Sequence, residues 1–580
     1  MKKMKKNKYK TNVNIITETN SMKLFTMLSE YFLCVLVIYS IFQLFKVNNL
    51  MLVQIFSIII PIIVYLLKSN KKNIIKITTL IIYMLIIIVL PFIYNYTYDL
   101  TIDGNSYHKT AIAFIKNGWN PLYESARTFQ KNNNSVIKID KKERVDLWIE
   151  HYPKATWIIA ANFYNMTGNI ESGKCITLIF TIMLIIITYN CLQKILDKKW
   201  SIIISVLIAL NPIVLAQFFS YYVDGIMGIL FAIEILLLIL INPKQKIEVD
   251  VLLSLAAICT VFCNIKFTGL LCSGVIAAVY YFYWLIINRK DKGFKSIFYK
   301  TTISFTIIFL TSIFLVGANS YIKNTIDHHN PLYPLIGKDK VDIITTMQPK
   351  SFNKKSGIEK LLISTFSRTQ NVTYISKPTL KLPIRLYKSE IEELYAPDVR
   401  IAGFGPFEAL IVISTLIIFV INFIIIIKKE KNNLKYILLP LISIIVTTVL
   451  VGESWWARYV PQLYLLPIGT LTLSVYLSKY KKSKLFSNIK IFSLVLLILI
   501  NAYFFLSIDY KEVKGFIDIK HDIEKMKNMR DLRIKLGTDN LYGYYYTLND
   551  NNVSYSVVKN IPTSKKRYMY GWRIEVETNE

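Results

Sequence analysis

The segment DGNSYHKTAIAFIKNGWNPLY, residues 103 to 123, brings a carboxylate (Asp103), a phenol (Tyr107), an imidazole (His108) and an indole (Trp119) into one polar stretch directly after a hydrophobic run that ends near Tyr94. A carboxylate in such company can be catalytic. It can also cap a helix, because Asp before Gly-Asn-Ser at the start of an apolar-periodic run (Ala111, Ile112, Phe114, Ile115) fits an N-cap. The two roles are compatible, since a cap leaves one oxygen free.

Three further stretches combine charge with aromatic residues beside hydrophobic runs: YYVDG with Asp224, NIKF with Lys266, and ESWWARY with Arg458. Asp224 at the start of a helix is also favoured by the macrodipole. Lys266 and Arg458 at span ends can snorkel to lipid head groups, and the tryptophans beside Arg458 suit an interfacial belt. His108 and His151 are isolated and lack ligand spacing, so the sequence assigns no metal site.

The elements that position these residues are hydrophobic helices. Of 580 residues 53% are hydrophobic, and runs rich in Ile and Leu recur from residue 24 to residue 507. A helix needs about 20 apolar residues to span the hydrocarbon core. The pattern predicts an all-α polytopic membrane protein of about thirteen spans: 24 to 46, 50 to 67, 75 to 94, 174 to 192, 200 to 219, 224 to 242, 249 to 264, 268 to 288, 301 to 319, 405 to 427, 436 to 452, 459 to 478 and 487 to 507.

The formal net charge of +31 gathers in short loops (KSNKKNIIK, QKILDKKW, PKQK, RKDKGFKSIFYK, KKEKNNLK, KYKKSK) that alternate with loops poor in Lys and Arg. That distribution marks the basic loops and the lysine-rich N-terminus as cytoplasmic, attracts anionic lipid, and leaves no case for nucleic acid. Six parts follow: an N-terminal anchor with three spans (1–94), a first large extracytoplasmic loop with Asp103 (95–173), central spans (174–319), a second large loop (320–404), C-terminal spans (405–507), and a small extracytoplasmic α/β appendage (508–580). In the appendage, HDIEKMKNMRDLRIKL reads as helix, and LYGYYYTL, VSYSVV and GWRIEVE read as strands. The six cysteines lie in or beside spans and imply no disulfide framework. Heavy use of Lys, Asn and Ile fits an AT-rich bacterial genome and hence a bacterial plasma membrane.

Taken in series, DGNSYHKTAIAFIKNGWNPLY, HYPKATWIIAANFYNMTG, YYVDG, NIKFTGL, HHNPLYPLIG and RYVPQLYLLP resemble the GT-C superfamily of polytopic glycosyltransferases, in particular bacterial relatives of the dolichyl-phosphate-mannose protein mannosyltransferases. The resemblance covers roughly residues 75 to 478. It implies a GT-C-like bundle that transfers a sugar from a polyprenyl-phosphate donor to a glycan, lipid or protein acceptor of the cell envelope, with inversion. Asp103 matches the acidic residue that activates the acceptor, and Asp224 a second acidic residue of the next outer loop. Arg458 and Lys266 would then clamp the donor phosphate, while Tyr107, His108 and Trp119 would wall the sugar or acceptor. No cofactor is assigned, and a divalent cation is left open. The adjacent acidic pair common in the family is absent, because Gly104 follows Asp103.

Two other classes compete. A lipid-linked sugar transporter or flippase would depend on a charge deep in a span, for which Glu234 is the candidate. An envelope polysaccharide polymerase or ligase would depend on arginines of the outer loops, such as Arg385 and Arg400.

Overall fold

The computed structural model describes residues 19–68, 75–133, 145–245, 247–341, 347–480, 484–536, 541–558, 560–561, 567–568 and 574–577. Among them, nine helices are long and apolar enough to cross a membrane: Asn20–Leu44, Leu50–Lys68, Ile77–Tyr94, Ile170–Leu192, Phe267–Asn288, Phe294–Asn319, Glu408–Lys429, Lys431–Leu450 and Asn488–Lys527. Their outward faces leave Ile, Leu and Phe uncovered, as on Leu50–Lys68, where Met51, Ile55, Phe56, Ile59 and Ile63 are all exposed. Apolar surface on that scale matches hydrocarbon. The chain is a multi-pass membrane protein.

The other four expected spans are helices too, but short: Lys198–Ala209, Asp224–Leu240, Val249–Cys263 and Leu465–Leu477 have 12, 17, 15 and 13 residues. Two of them are cut by proline. Pro212 starts a separate turn after Leu210, and Pro461 opens a 3₁₀ turn before Leu465. Asp224–Leu240 is buried along its length except at Leu236 and Ile239, and packs against Ile170–Leu192, Val249–Cys263 and Phe267–Asn288. A helix enclosed by protein has no bilayer thickness to match.

The basic loops meet pairwise through ion pairs: Lys68 with Asp250 (2.5 Å), Lys244 with Asp291 (2.9 Å) and Lys479 with Glu430 (3.0 Å). At the other ends of the same helices lie Leu44, Cys263 and Phe267, beside the long polar segments. The bundle therefore separates its basic loops from its polar loops, end from end.

Beyond residue 507 the last span does not stop. One helix runs Lys484–Lys527, 44 residues or about 66 Å. The sheet that follows has the order β2-β1-β4-β3, with β1 (Arg533–Leu536), β2 (Ser556–Val557), β3 (Arg567–Tyr568) and β4 (Ile574–Glu577). β1 and β2 are parallel and the other pairs antiparallel. Two expectations are corrected here. Arg533–Leu536 is a strand and not the end of the preceding helix, and the Tyr-rich run expected as a strand is the helix Gly543–Asp550. Its buried apolar side chains Tyr544, Tyr545 and Leu548, with Leu541 just before it, fall at helical spacing, and parallel β1 and β2 require a crossover between them.

Candidate active site

Asp103 lies beside a single π-helical turn, Gly104–His108, that leads into the helix Lys109–Lys116. Its backbone is already helical and its side chain makes no capping hydrogen bond, so the N-cap role fails and the carboxylate is free for other partners. The turn is fixed from behind by a second carboxylate. Asp99 accepts hydrogen bonds from the backbone of Thr101 and Tyr221, both at 2.8 Å, and from the Thr101 hydroxyl at 2.6 Å. Gly104 is what lets it sit there. A Cβ at residue 104 would lie 2.0 Å from Asp99 Oδ2. The acidic neighbour expected from the family pattern has no room in this chain, since Asp99 fills that space.

Behind Asp99 a buried ion cluster joins three distant parts of the chain. Glu171 accepts the Asp99 backbone N–H at 3.1 Å, and pairs with Lys109 at 2.5 Å and Lys174 at 2.7 Å. Thr547, on the crossover helix of the C-terminal sheet, donates to Glu171 at 2.8 Å. Asp550 on the same helix accepts from the Tyr164 hydroxyl and from Ile170 N–H, both at 2.7 Å. The helices meet so closely that a Cβ on Gly543 would lie 2.6 Å from Asn105 Cα. The C-terminal domain thus braces the turn that carries Asp103, Tyr107 and His108.

In front of the turn, Arg458 collects three carboxylates from three separate loops. Its Nε lies 3.2 Å from Asp224, its NH1 3.2 Å from Asp398, and its NH2 3.6 Å from Asp103. Lys266 closes on the second oxygen of Asp224 at 2.8 Å, and Gln217 donates to Asp224 at 3.4 Å. Tyr222, Trp456 and Tyr459 surround the guanidinium with centroids 4.9, 5.0 and 5.4 Å from its carbon, so this charge is held by π faces as well as by anions. Asp224 is sealed in, with a side chain 2% exposed, whereas Asp103 and Asp398 are each 27% exposed. Burial raises the Asp103 carboxyl above its usual range, and nearby Asp398 and Asp224 push the same way, against the opposing pull of Arg458.

Three members of this group, Asp224, Lys266 and Arg458, line a cleft together with Tyr107, His108, Tyr152, Trp157 and Tyr222. Its interior has room for about one water molecule. Trp157 Nε1 donates to His108 Nδ1 at 2.7 Å, and burial lowers the imidazole to about 3. Neutral His108 therefore carries its proton on Nε2, as a donor.

Four sequence-derived site residues, Asp103, Asp224, Lys266 and Arg458, form one connected ion group, and Tyr107 and His108 line the cleft beside it. Trp119 does not join them. It is a core residue, 1% exposed, packed on Phe114 and donating to the Glu124 carbonyl at 2.9 Å. His151 is bound to Asn324 at 2.8 Å and packs against His328 and Tyr333. Among the described residues no group of three or more His, Cys, Asp or Glu is arranged to hold a metal ion. Asp398, Asp99 and Glu171 were missed by sequence reasoning. Each sits in polar sequence with no periodic signal, and their partners lie 60, 122 and 62 residues away. Compared with known proteins, the chain matches no family model and no curated sequence.

Proposed function

We propose that this chain is an integral membrane glycosyltransferase of GT-C type, which moves a sugar from a polyprenyl-phosphate donor to a hydroxyl of a cell-envelope acceptor with inversion at the anomeric carbon. The observation that carries this reading is the ion group itself: one guanidinium shared by Asp103, Asp224 and Asp398, with Lys266 on Asp224, beside an aromatic cleft at the end of a membrane bundle. The acceptor oxygen bonds to the anomeric carbon, the bond from that carbon to the phosphate oxygen breaks, the hydroxyl proton passes to Asp103, and the polyprenyl phosphate leaves. A phosphodiester with one negative charge becomes a monoester that approaches two, so Arg458 and Lys266 bind the transition state better than the ground state.

Exposure assigns the two acids. Asp103 is reachable and raised in pKa, as a general base needs, whereas Asp224 is sealed by two cations and orients them. Tyr107 and His108 provide the wall. Three carboxylates against two cations leave no spare positive charge for a phosphate. Asp398 is the group that yields, because among the described residues its carboxylate is held by Arg458 alone. Arg458, which lines the cleft, is then left to take the phosphate.

The topology belongs to the same proposal: a bacterial plasma membrane, basic loops and N-terminus in the cytoplasm, and the site with the C-terminal domain outside. Arg385 and Arg400, on which a polymerase or ligase would rely, do not line the cleft, and Arg400 is spent on the Val372 carbonyl at 2.5 Å. The test is to incubate purified protein with a panel of polyprenyl-phosphate sugars and measure released lipid phosphate. The parent should release it with at least one donor and Asp103→Asn with none, at unchanged thermal stability. Retained turnover in Asp103→Asn would remove the mechanism.

A further inference from the structure

The second large polar segment exposes apolar side chains in a regular pattern that the proposed chemistry does not use. Between Val372 and Ser389 the chain carries no acidic residue, and Leu380, Leu382 and Ile384 are 66, 67 and 73% exposed. Around Leu380 the backbone is extended, with Arg368 N–H bonded to the Thr379 carbonyl (2.8 Å) and Lys381 N–H to the Phe366 carbonyl (3.0 Å), so side chains on either side of Lys381 face away from it, and Ile384 follows in a turn closed by Arg385 N–H on the Leu382 carbonyl (2.9 Å). Lys381 points inward. Its ammonium, 1% exposed, pairs with Glu390 at 2.5 Å and donates to the Pro406 carbonyl at 2.6 Å. The two leucines on either side of it consequently face out.

Pro406 fixes the height of this stripe, because the membrane helix Glu408–Lys429 begins two residues later. A second piece sits at the same level. The short helix Gly357–Thr365 exposes Ile358 and Leu362, and its Gly357 abuts the Gly452 carbonyl, two residues past the end of the span Lys431–Leu450. The two pieces are joined by the bridge between Ser367 and Leu380. Lys377, Arg385 and Lys388 rim the stripe, all exposed, with Tyr387 held under Arg385 and Arg368. Leucine and isoleucine outward, cations and a tyrosine at the rim, and attachment to two span ends together match the chemistry of a lipid interface.

We propose that this face, Leu380, Leu382 and Ile384 with Ile358 and Leu362, is a membrane-docking surface that dips into the leaflet around the bundle, with anionic phospholipid head groups on Lys377, Arg385 and Lys388. The charge selects the occupant. The stretch from Val372 to Ser389, with three exposed cations and no carboxylate, is complementary to an anionic leaflet, while a second copy of this chain would bring the same cations against it; on the neighbouring helix Glu359 is exposed, with its carboxylate held by the Ser356 N–H and hydroxyl at 2.7 and 2.8 Å. The loop that holds Asp398 is thereby seated on the lipid surface. This inference needs only the membrane-spanning bundle and not the glycosyltransferase reading.

The test uses full-length protein in vesicles of phosphatidylcholine and phosphatidylglycerol, with Ile384→Cys and, as the control, the exposed polar position Lys338→Cys, each labelled with an environment-sensitive fluorophore. The six native cysteines are buried or half-buried, and the parent labelled in parallel gives the background. Lipids brominated in the upper acyl chain should quench the label at 384 and spare that at 338, whereas aqueous iodide should do the reverse. Vesicles without phosphatidylglycerol should weaken quenching at 384, because each rim cation loses about a five-fold preference for the anionic surface. Iodide quenching at 384 equal to that at 338 would overturn the proposal. So would a label shielded from both quenchers, which would mean that protein covers the face.

Discussion

Replacing Gly104 with alanine probes the brace behind the candidate base, and its cost can be worked from distances. The new Cβ would stand 2.0 Å from Asp99 Oδ2 and 2.5 Å from its Cγ, where ordinary contact begins at 3.4 Å, so the carboxylate must retreat by about 1.4 Å. That retreat breaks the 2.8 Å hydrogen bond from Tyr221 N–H, and a bond to a charged acceptor contributes about 1.5–3 kcal/mol. Overpacking a filled site adds about 1–3 kcal/mol, for a total of roughly 3–5 kcal/mol. Because Tyr221 precedes Tyr222 and Asp224, and Gly104 adjoins Asp103, both sides of the cleft shift. Misplacement of about 1 Å at a reacting group can cost on the order of 100-fold in rate. The decisive measurement is a double-mutant cycle read by thermal unfolding in detergent. Asp99→Ala alone removes the same hydrogen bonds, and once its carboxylate is gone the new Cβ still meets the Thr101 hydroxyl at 2.7 Å, the end of a rotatable side chain, so the two losses should overlap by about 2 kcal/mol or more. Additive losses, or a Gly104→Ala protein as stable as its parent, would refute the reasoning.

Arg458→Lys keeps one charge but loses the planar fork that reaches three carboxylates, so kcat for lipid-phosphate release should fall by about 10²–10³-fold, a larger effect than on KM. The acid limb of the rate profile should lie above the usual aspartate range, because Asp103 must be deprotonated to act and burial raises its pKa; a limb near pH 4 would contradict its role. His108 is held at about 3 when folded against 6.5 for the free side chain. The unfolded chain therefore gains a proton first as pH falls, so this depressed histidine contributes stability that is complete above 6.5 and is lost below it, about 2 kcal/mol by pH 5. His108→Gln should flatten that part of a stability profile measured from pH 7 to pH 5. Trp119→Phe should lower stability and leave the KM for the donor unchanged, because the indole is packed on Phe114 away from the cleft.

What the sequence revealed divides along a physical line. Span positions and the convergence of Asp103, Asp224, Lys266 and Arg458 were legible because hydrophobic periodicity fixes which loops share an end of the bundle, and charge beside a span end is costly unless used. The short helices were not, since sequence hydropathy treats Asp224–Leu240, enclosed by protein, and Leu50–Lys68, largely exposed, as equivalent apolar runs. The Tyr-rich run misled for another reason. Tyrosine favours strands by propensity, but burial at 541, 544, 545 and 548 has a helical period that five consecutive aromatic and glycine residues conceal. Asp398 could not have been found from local pattern, because its carboxylate is held by residue 458, 60 positions away.

The departure at Gly104 has the widest consequence for how the site is built. Where an acidic pair would place two charges on one turn, this chain disperses them: Asp99 turns inward to brace, Asp103 faces Arg458, and Asp398 arrives from the second polar segment. Dispersal gives each carboxylate its own mobility. Asp99 is locked by three hydrogen bonds, Asp103 is held through a turn pressed between Asp99 and the helix Gly543–Asp550, and among the described residues the Asp398 carboxylate is tied to the guanidinium alone. A single cation can then exchange one anion for another without disturbing the base, which a pair fixed on one turn does not permit. The turn takes its rigidity from the C-terminal domain behind it, through Gly543 packed against Asn105 and Thr547 bonded to Glu171.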